Sequence, residues 1–160
     1  MVKLYGAGTL YHGPKSIESL KTITGKRAVI VTGHSSTREN GSLQRVCDML
    51  QEKGWVCDVF SGVEPDPSID TVRKGAAFMQ EKQPDWIIGL GGTSSIDAAK
   101  AMWVLYEHPE LPFETMIKPF AIPALRNKAR SPHERYRNGN HFTGCDYRPR
   151  KRCKVSDCIS

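Results

Sequence analysis

Asp85-Trp86-Ile87-Ile88-Gly89-Leu90-Gly91-Gly92-Thr93-Ser94-Ser95-Ile96-Asp97-Ala98-Ala99-Lys100 decides the fold. An apolar run opens it and predicts a strand buried on both faces. Three glycines in four positions follow, and then a small-residue segment that favours helix and carries Asp97 and Lys100. Strand, glycine turn and helix start form the plan of an anion site. Glycine lets backbone approach a ligand closely, and the free N–H groups of a helix's first turn point at whatever sits there. The spacing is neither G-x-G-x-x-G nor G-x-x-x-x-G-K. The residues alone therefore leave two readings open: a phosphate near a helix N-terminus, or a tight turn with no ligand.

Upstream, Ala28-Val29-Ile30-Val31 within Arg27–Thr32 is a compact β-branched run and predicts a core strand. The small polar loop 33–37 comes next, then a helix with Leu43, Val46, Cys47 and Leu50 on one face, ended by Gly54. Trp55–Phe60 predicts a second strand. Glu64-Pro65-Asp66-Pro67-Ser68 is a turn whose Ser68 or Asp66 can cap a helix with Ile69, Val72, Ala76 and Met79 on its buried face. Gln83-Pro84 stops that helix, the opening strand occupies 86–89, and a helix follows over 96–106. Pro14 suits the start of an earlier helix, with Ile17 and Leu20 inward and Gly25 at its close. Gly6-Ala7-Gly8 predicts a turn between short extended segments, and Phe120-Ala121-Ile122 a last short strand.

Strands alternating with helices predict an α/β fold, a mostly parallel sheet with helices on both faces. Ligands of such sheets bind beyond the carboxyl ends of the strands, here at loops 33–37, 62–68 and 90–95. The first and last of these are richest in glycine and small polar residues.

Composition narrows the function. The chain has 160 residues, 39% of them hydrophobic, and a net charge of +6. No apolar run reaches the roughly 18 residues that a membrane span needs. Met1–Gly6 lacks the apolar core of a signal peptide. Five cysteines without framework spacing predict reduced thiols and a cytoplasmic protein. The charge is uneven. Residues 124–160 hold ten basic and three acidic residues, and the first 123 hold thirteen basic and fourteen acidic. We therefore expect a near-neutral domain over 1–123 and a basic, poorly ordered tail over 124–160.

The first part resembles the N-terminal dinucleotide-binding domain of the iron-containing (group III) alcohol dehydrogenases. The matching pieces are Gly6-Ala7-Gly8, Val29–Gly33, Gly41-Ser42-Leu43, Phe60 with Val63–Ser68, and Pro84–Ala101. The last is similar to the family's G-G-G-S-x-x-D-x-A-K signature. The resemblance implies a Rossmann-like domain of the dehydroquinate synthase-like type that holds NADP or NAD. Gly91, Gly92, Thr93 and Ser94 would line the pyrophosphate. Asp97 and Lys100 would stand near the nicotinamide. Gly33, Ser35 and Ser36 would lie by the adenosine ribose. An acidic residue in that first loop favours NAD by accepting from the ribose 2′-hydroxyl. Gly33 stands there instead, with Ser35, Ser36 and nearby Arg38 as donors, which favours NADP.

Two residues depart from the signature. Thr93 replaces its third glycine and could offer a hydroxyl to a phosphate oxygen. Ser95 replaces a frequent proline, with no consequence expected.

The resemblance is expected to end after Pro123, where Ala124–Arg130 does not continue the family's Thr- and Gly-rich loop. In the family, iron is held by an aspartate and three histidines of a second, helical domain. His12, His34, His108, His133 and His141 match none of these positions, so no metal ligand and no catalytic residue is expected here. The isolated chain is then expected to be inactive, with the tail an out-of-frame translation, and to self-associate through an exposed apolar face. An alternative is a non-enzymatic nucleotide- or nucleic-acid-binding module working through the tail. Arg148-Pro149-Arg150-Lys151-Arg152 would give weak, nonspecific phosphate binding. Cys145, Cys153 and Cys158 lack a zinc-knuckle spacing.

Overall fold

The computed structural model describes residues 15–116. The expected turn at Gly6-Ala7-Gly8, the strand at 120–122 and the tail at 124–160 lie outside the described residues.

The sheet has three parallel strands: β1 (Arg27–Thr32), β2 (Val56–Phe60) and β3 (Trp86–Leu90), in the order β2-β1-β3. Ile30 pairs with Val59 on one side and with Ile88 on the other. Its α-helices are α1 (Ser36–Glu39), α2 (Ser42–Gln51), α3 (Ile69–Lys82), α4 (Thr93–Glu107) and α5 (Phe113–Met116). The expected α/β class, parallel sheet and alternation of elements are all present.

Central β1 explains the layering. Ala28, Val29, Ile30 and Val31 are fully buried, and successive side chains leave a strand on opposite faces. Ala28 and Ile30 pack with Leu43, Val46 and Leu50 of α2 and with Trp55. Val29 and Val31 pack with Val72 and Met79 of α3 and with Met102 and Leu105 of α4. The crossover from β1 to β2 therefore covers one face and that from β2 to β3 the other. Because the chain leaves β1 in one direction and returns on its far side, the carboxyl ends of β1 and β3 mark a topological switch point, where sheets of this kind bind ligands.

Four expectations need correction. β3 is half-buried along its whole length rather than buried on both faces, because it stands at the border of the described sheet. The helix expected from Ile96 begins at Thr93, since Gly92 already has extended backbone and nothing between it and Ile96 breaks a helix. Loop 33–37 gives way at Ser36 to the short α1, after which Gly41, at φ 74°, lets the chain turn into α2. The earliest helix is a 3-10 segment, Ser16–Thr22. Apolar residues three apart, as at Ile17 and Leu20, suit a repeat of 3.0 as well as 3.6. The Lys53 ammonium donates to the Lys21 and Ile23 carbonyls at its end.

Candidate functional site

Three loops meet at the carboxyl end of the sheet. The Gly62 and Val63 amides donate to the Gly33 and Thr32 carbonyls at 3.3 and 3.2 Å. Arg38 Nη2 donates to Ser61 Oγ at 3.2 Å. The His34 ring lies over Gly62, 3.7 Å from where a Cβ would stand. The loop after β1 is thus fastened to the loop after β2.

On the other side stands the glycine turn. Gly91 has φ 127°, a conformation that side chains rarely adopt. Gly92 is the N-cap of α4 and has no side chain to cap it. A Cβ on Gly92 would meet nothing within 4 Å, so the approach to the helix start is open. Gly91, Gly92 and Thr93 are exposed and Ser94 is half-buried. Amide N–H groups of a first helical turn carry the positive end of the helix dipole. Open space, absent side chains and that dipole together accommodate a phosphate.

Ser95 joins the two sides. It is only 4% exposed. Its Oγ lies 3.3 Å from the Cβ position of Gly91 and 3.7 Å from that of Gly33. The residue expected to be without consequence therefore fills the space between both glycine loops.

The structure places each sequence-derived candidate clearly. Gly33, Gly91, Gly92, Thr93 and Ser94 gather around Ser95 or adjoin it in the chain. Ser35 and Ser36 are exposed at the start of α1, and Ser35 makes no capping bond. Asp97 and Lys100 lie further along α4 and pair with each other, Nζ to Oδ1 3.5 Å. Burial raises the Asp97 carboxyl above its ordinary range, and the Lys100 ammonium partly opposes this. No group of three or more His, Cys, Asp or Glu able to hold a metal occurs among the described residues. The described residues therefore do not fit an iron site.

The sequence did not single out Thr32 and Thr37. Their hydroxyls hydrogen-bond at 2.5 Å, with Thr32 fully buried and Thr37 nearly so. Thr37 also sets its methyl 3.3 Å from the Cβ position of Gly91. Two threonines flanking a polar loop give no periodic signal, so only the folded geometry brings them out.

A parallel α/β sheet with an open glycine turn at its switch point defines a Rossmann-like unit. The pattern of the family described as iron-containing alcohol dehydrogenase matches residues 5–133, and the chain belongs to that family. It is 50% identical over 121 residues to the NADPH-dependent butanol dehydrogenase of Clostridium saccharobutylicum. That match covers 76% of this chain and 31% of the relative. The iron-containing alcohol dehydrogenase of Thermococcus thioreducens superposes with a TM-score of 0.67 at 26% identity, covering 78% of this chain and 35% of that one. The iron-containing alcohol dehydrogenase of Thermotoga maritima gives 0.60 at 32% identity, over 75% and 32%. The chain thus spans about a third of the length of these relatives. The family match runs ten residues beyond the boundary expected at 123.

Proposed function

We propose that this chain supplies the nicotinamide-dinucleotide site of an iron-dependent alcohol dehydrogenase. In the whole enzyme the reaction would be hydride transfer between the nicotinamide and an alcohol or aldehyde. The observation that carries this is the open start of α4, where Gly91 and Gly92 leave room for a diphosphate beside the Gly33 loop. Gly91, Gly92, Thr93 and Ser94 take the diphosphate. Gly33, Ser35 and Ser36 take the adenosine ribose. Asp97 and Lys100 face the nicotinamide end.

We assign NADP ahead of NAD. No carboxylate occurs from Gly33 to Arg38, and two hydroxyls and a guanidinium are available to a 2′-phosphate. The NADPH dependence stated for the Clostridium relative supports the same choice.

We assign cofactor binding to residues 1–123. Self-association through an apolar face stays part of this reading; among the described residues, Val56 and Ile96 are the exposed large hydrophobic side chains. No helix among them is long and apolar enough to cross a membrane.

Titration with NADPH and with NADH, followed by thermal unfolding, tests the assignment. Ligand at a hundred times its dissociation constant stabilises a folded protein by about 2.7 kcal/mol. NADPH should raise the unfolding midpoint at lower concentration than NADH. No shift with either cofactor would sink the assignment.

A further inference from the structure

We propose that Thr37, held by its hydrogen bond to Thr32, is a positioning residue that makes the site select an intact dinucleotide over either half of one. This rests on the dinucleotide reading above. Thr37 touches three separate parts of the site's frame. Its hydroxyl meets Thr32 at the end of β1 at 2.5 Å. Its methyl stands against Gly91 of the glycine turn. Its carbonyl accepts from Ser42 Oγ at the start of α2, at 3.3 Å.

The two loops that the ligand must bridge lie on either side of this residue. Gly33, Ser35 and Ser36 lie within the four positions before Thr37, and Gly91 packs on its methyl. A dinucleotide contacts both loops at once, so its affinity depends on the distance between them. A ligand that contacts one loop alone is indifferent to that distance. The Thr32–Thr37 bond is shielded from water, and losing it leaves a buried hydroxyl that no solvent can satisfy. The α1 loop then relaxes relative to β1, and the span changes.

The test uses the full 160-residue chain. Calorimetric titrations would compare NADPH with adenosine 2′-monophosphate, which has no 5′-phosphate and needs only the first loop, and with inorganic pyrophosphate, which needs only the turn. Thr37→Val and Thr32→Val each remove the bond from one side. Each should weaken NADPH binding by about five- to tenfold, the loss of one buried hydrogen bond. Each should leave both half-ligands within about twofold of wild type, since half-ligands do not span the loops. Thr37→Ser keeps the hydroxyl and should rescue most of the NADPH affinity. Should a single variant fail to fold, the double Thr32→Val, Thr37→Val variant leaves neither hydroxyl stranded and should show the same selective loss.

Equal weakening of NADPH and of the half-ligands would show a general structural role and overturn the proposal. Unchanged NADPH binding in all variants would overturn it too, with the dinucleotide reading intact. A wild-type chain that binds neither NADPH nor NADH would sink that reading, and the proposal with it.

Discussion

Gly89 and Ile96 are in backbone contact: a Cβ on Gly89 would lie 2.9 Å from the Ile96 Cα. Backbone cannot swing aside as a flexible side chain can. This one approach fixes the seat of α4 on β3, and with it the position of the Gly91-Gly92 turn between them. Gly89 also pairs with Val31 of the fully buried central strand, so β3 cannot retreat either. Gly89→Ala should therefore destabilise the fold by about 2–3 kcal/mol, the usual cost of overpacking a rigid site. It should also weaken NADPH binding at temperatures where the variant remains folded. Urea unfolding and cofactor titration of the same preparation check both. An alanine variant of unchanged stability would mean that α4 is not seated where we place it.

A second close approach joins α3 to α4. A Cβ on Gly75 would come within 2.7 Å of Met102 Cγ and 2.5 Å of Met102 Cε. In an open helix, alanine would gain about 1 kcal/mol over glycine. Here the whole Met102 side chain, itself fully buried, would have to move. Gly75→Ala should thus destabilise by about 1–2 kcal/mol despite its better helix propensity. Combining it with Met102→Ala gives the new methyl the space it needs. The double variant should then be more stable than the sum of the singles by about 1 kcal/mol, a coupling expected of residues in contact. Strict additivity in denaturant unfolding would count against the packing described.

The glycines show how much was legible in advance. Gly91 and Gly92 announced a turn because they sit where an apolar run meets helix-favouring residues. The buried strand at Ala28–Val31 was legible from its β-branched run. The helical face of Val72, Ala76 and Met79 was legible from spacings of three and four. Gly75 and Gly89 gave no such signal. Their reason is the backbone or side chain of an element distant in sequence, and no local pattern encodes that. Ser95 is hidden from sequence on the same ground. Judged only against a proline, it looked neutral, whereas the fold places it between two loops separated by more than fifty residues of sequence. Thr37 carries no local signal, because its partner stands across a loop with no periodic pattern.

Asp97 sets burial against ion pairing. Its carboxyl is raised above 3.8 chiefly by burial, and the attraction of Lys100, 3.5 Å away, does not overcome this. A carboxyl whose folded value exceeds its unfolded value costs stability wherever it is charged in both states. The cost grows as pH rises through that interval and is complete above it. Asp97→Asn removes it. Since the partner Lys100 is partly exposed, the lost ion pair is worth at most about 1 kcal/mol. We therefore expect Asp97→Asn to be neutral or slightly stabilising near neutral pH, with any advantage gone by about pH 3. Thermal unfolding at the two pH values decides it. A clear loss of stability at neutral pH would show that the ion pair outweighs burial.

Glu64 runs the opposite way. Partial burial alone would raise its carboxyl, but hydrogen bonds from the Ser68 amide, its own amide and the Thr71 hydroxyl bring it from 4.5 down to about 2. The contacts are short: Ser68 N to Oε1 is 2.8 Å, and Thr71 Oγ1 lies 2.8 and 2.9 Å from the two carboxylate oxygens. They lock the turn that caps α3, where Ser68 Oγ accepts from the Thr71 amide at 3.2 Å. A carboxyl lowered on folding stabilises fully above its unfolded value and loses that contribution as pH falls through its folded one. The wild-type chain should therefore lose stability between about pH 4.5 and 2 through this group. Glu64→Gln keeps the shape and removes the charge. It should cost about 1.5 kcal/mol at neutral pH, the low end for hydrogen bonds to a charged group. Its unfolding midpoint should fall less steeply across the acid window than that of the wild type. Parallel acid profiles for the two proteins would show that the carboxylate at the start of α3 contributes nothing to the fold.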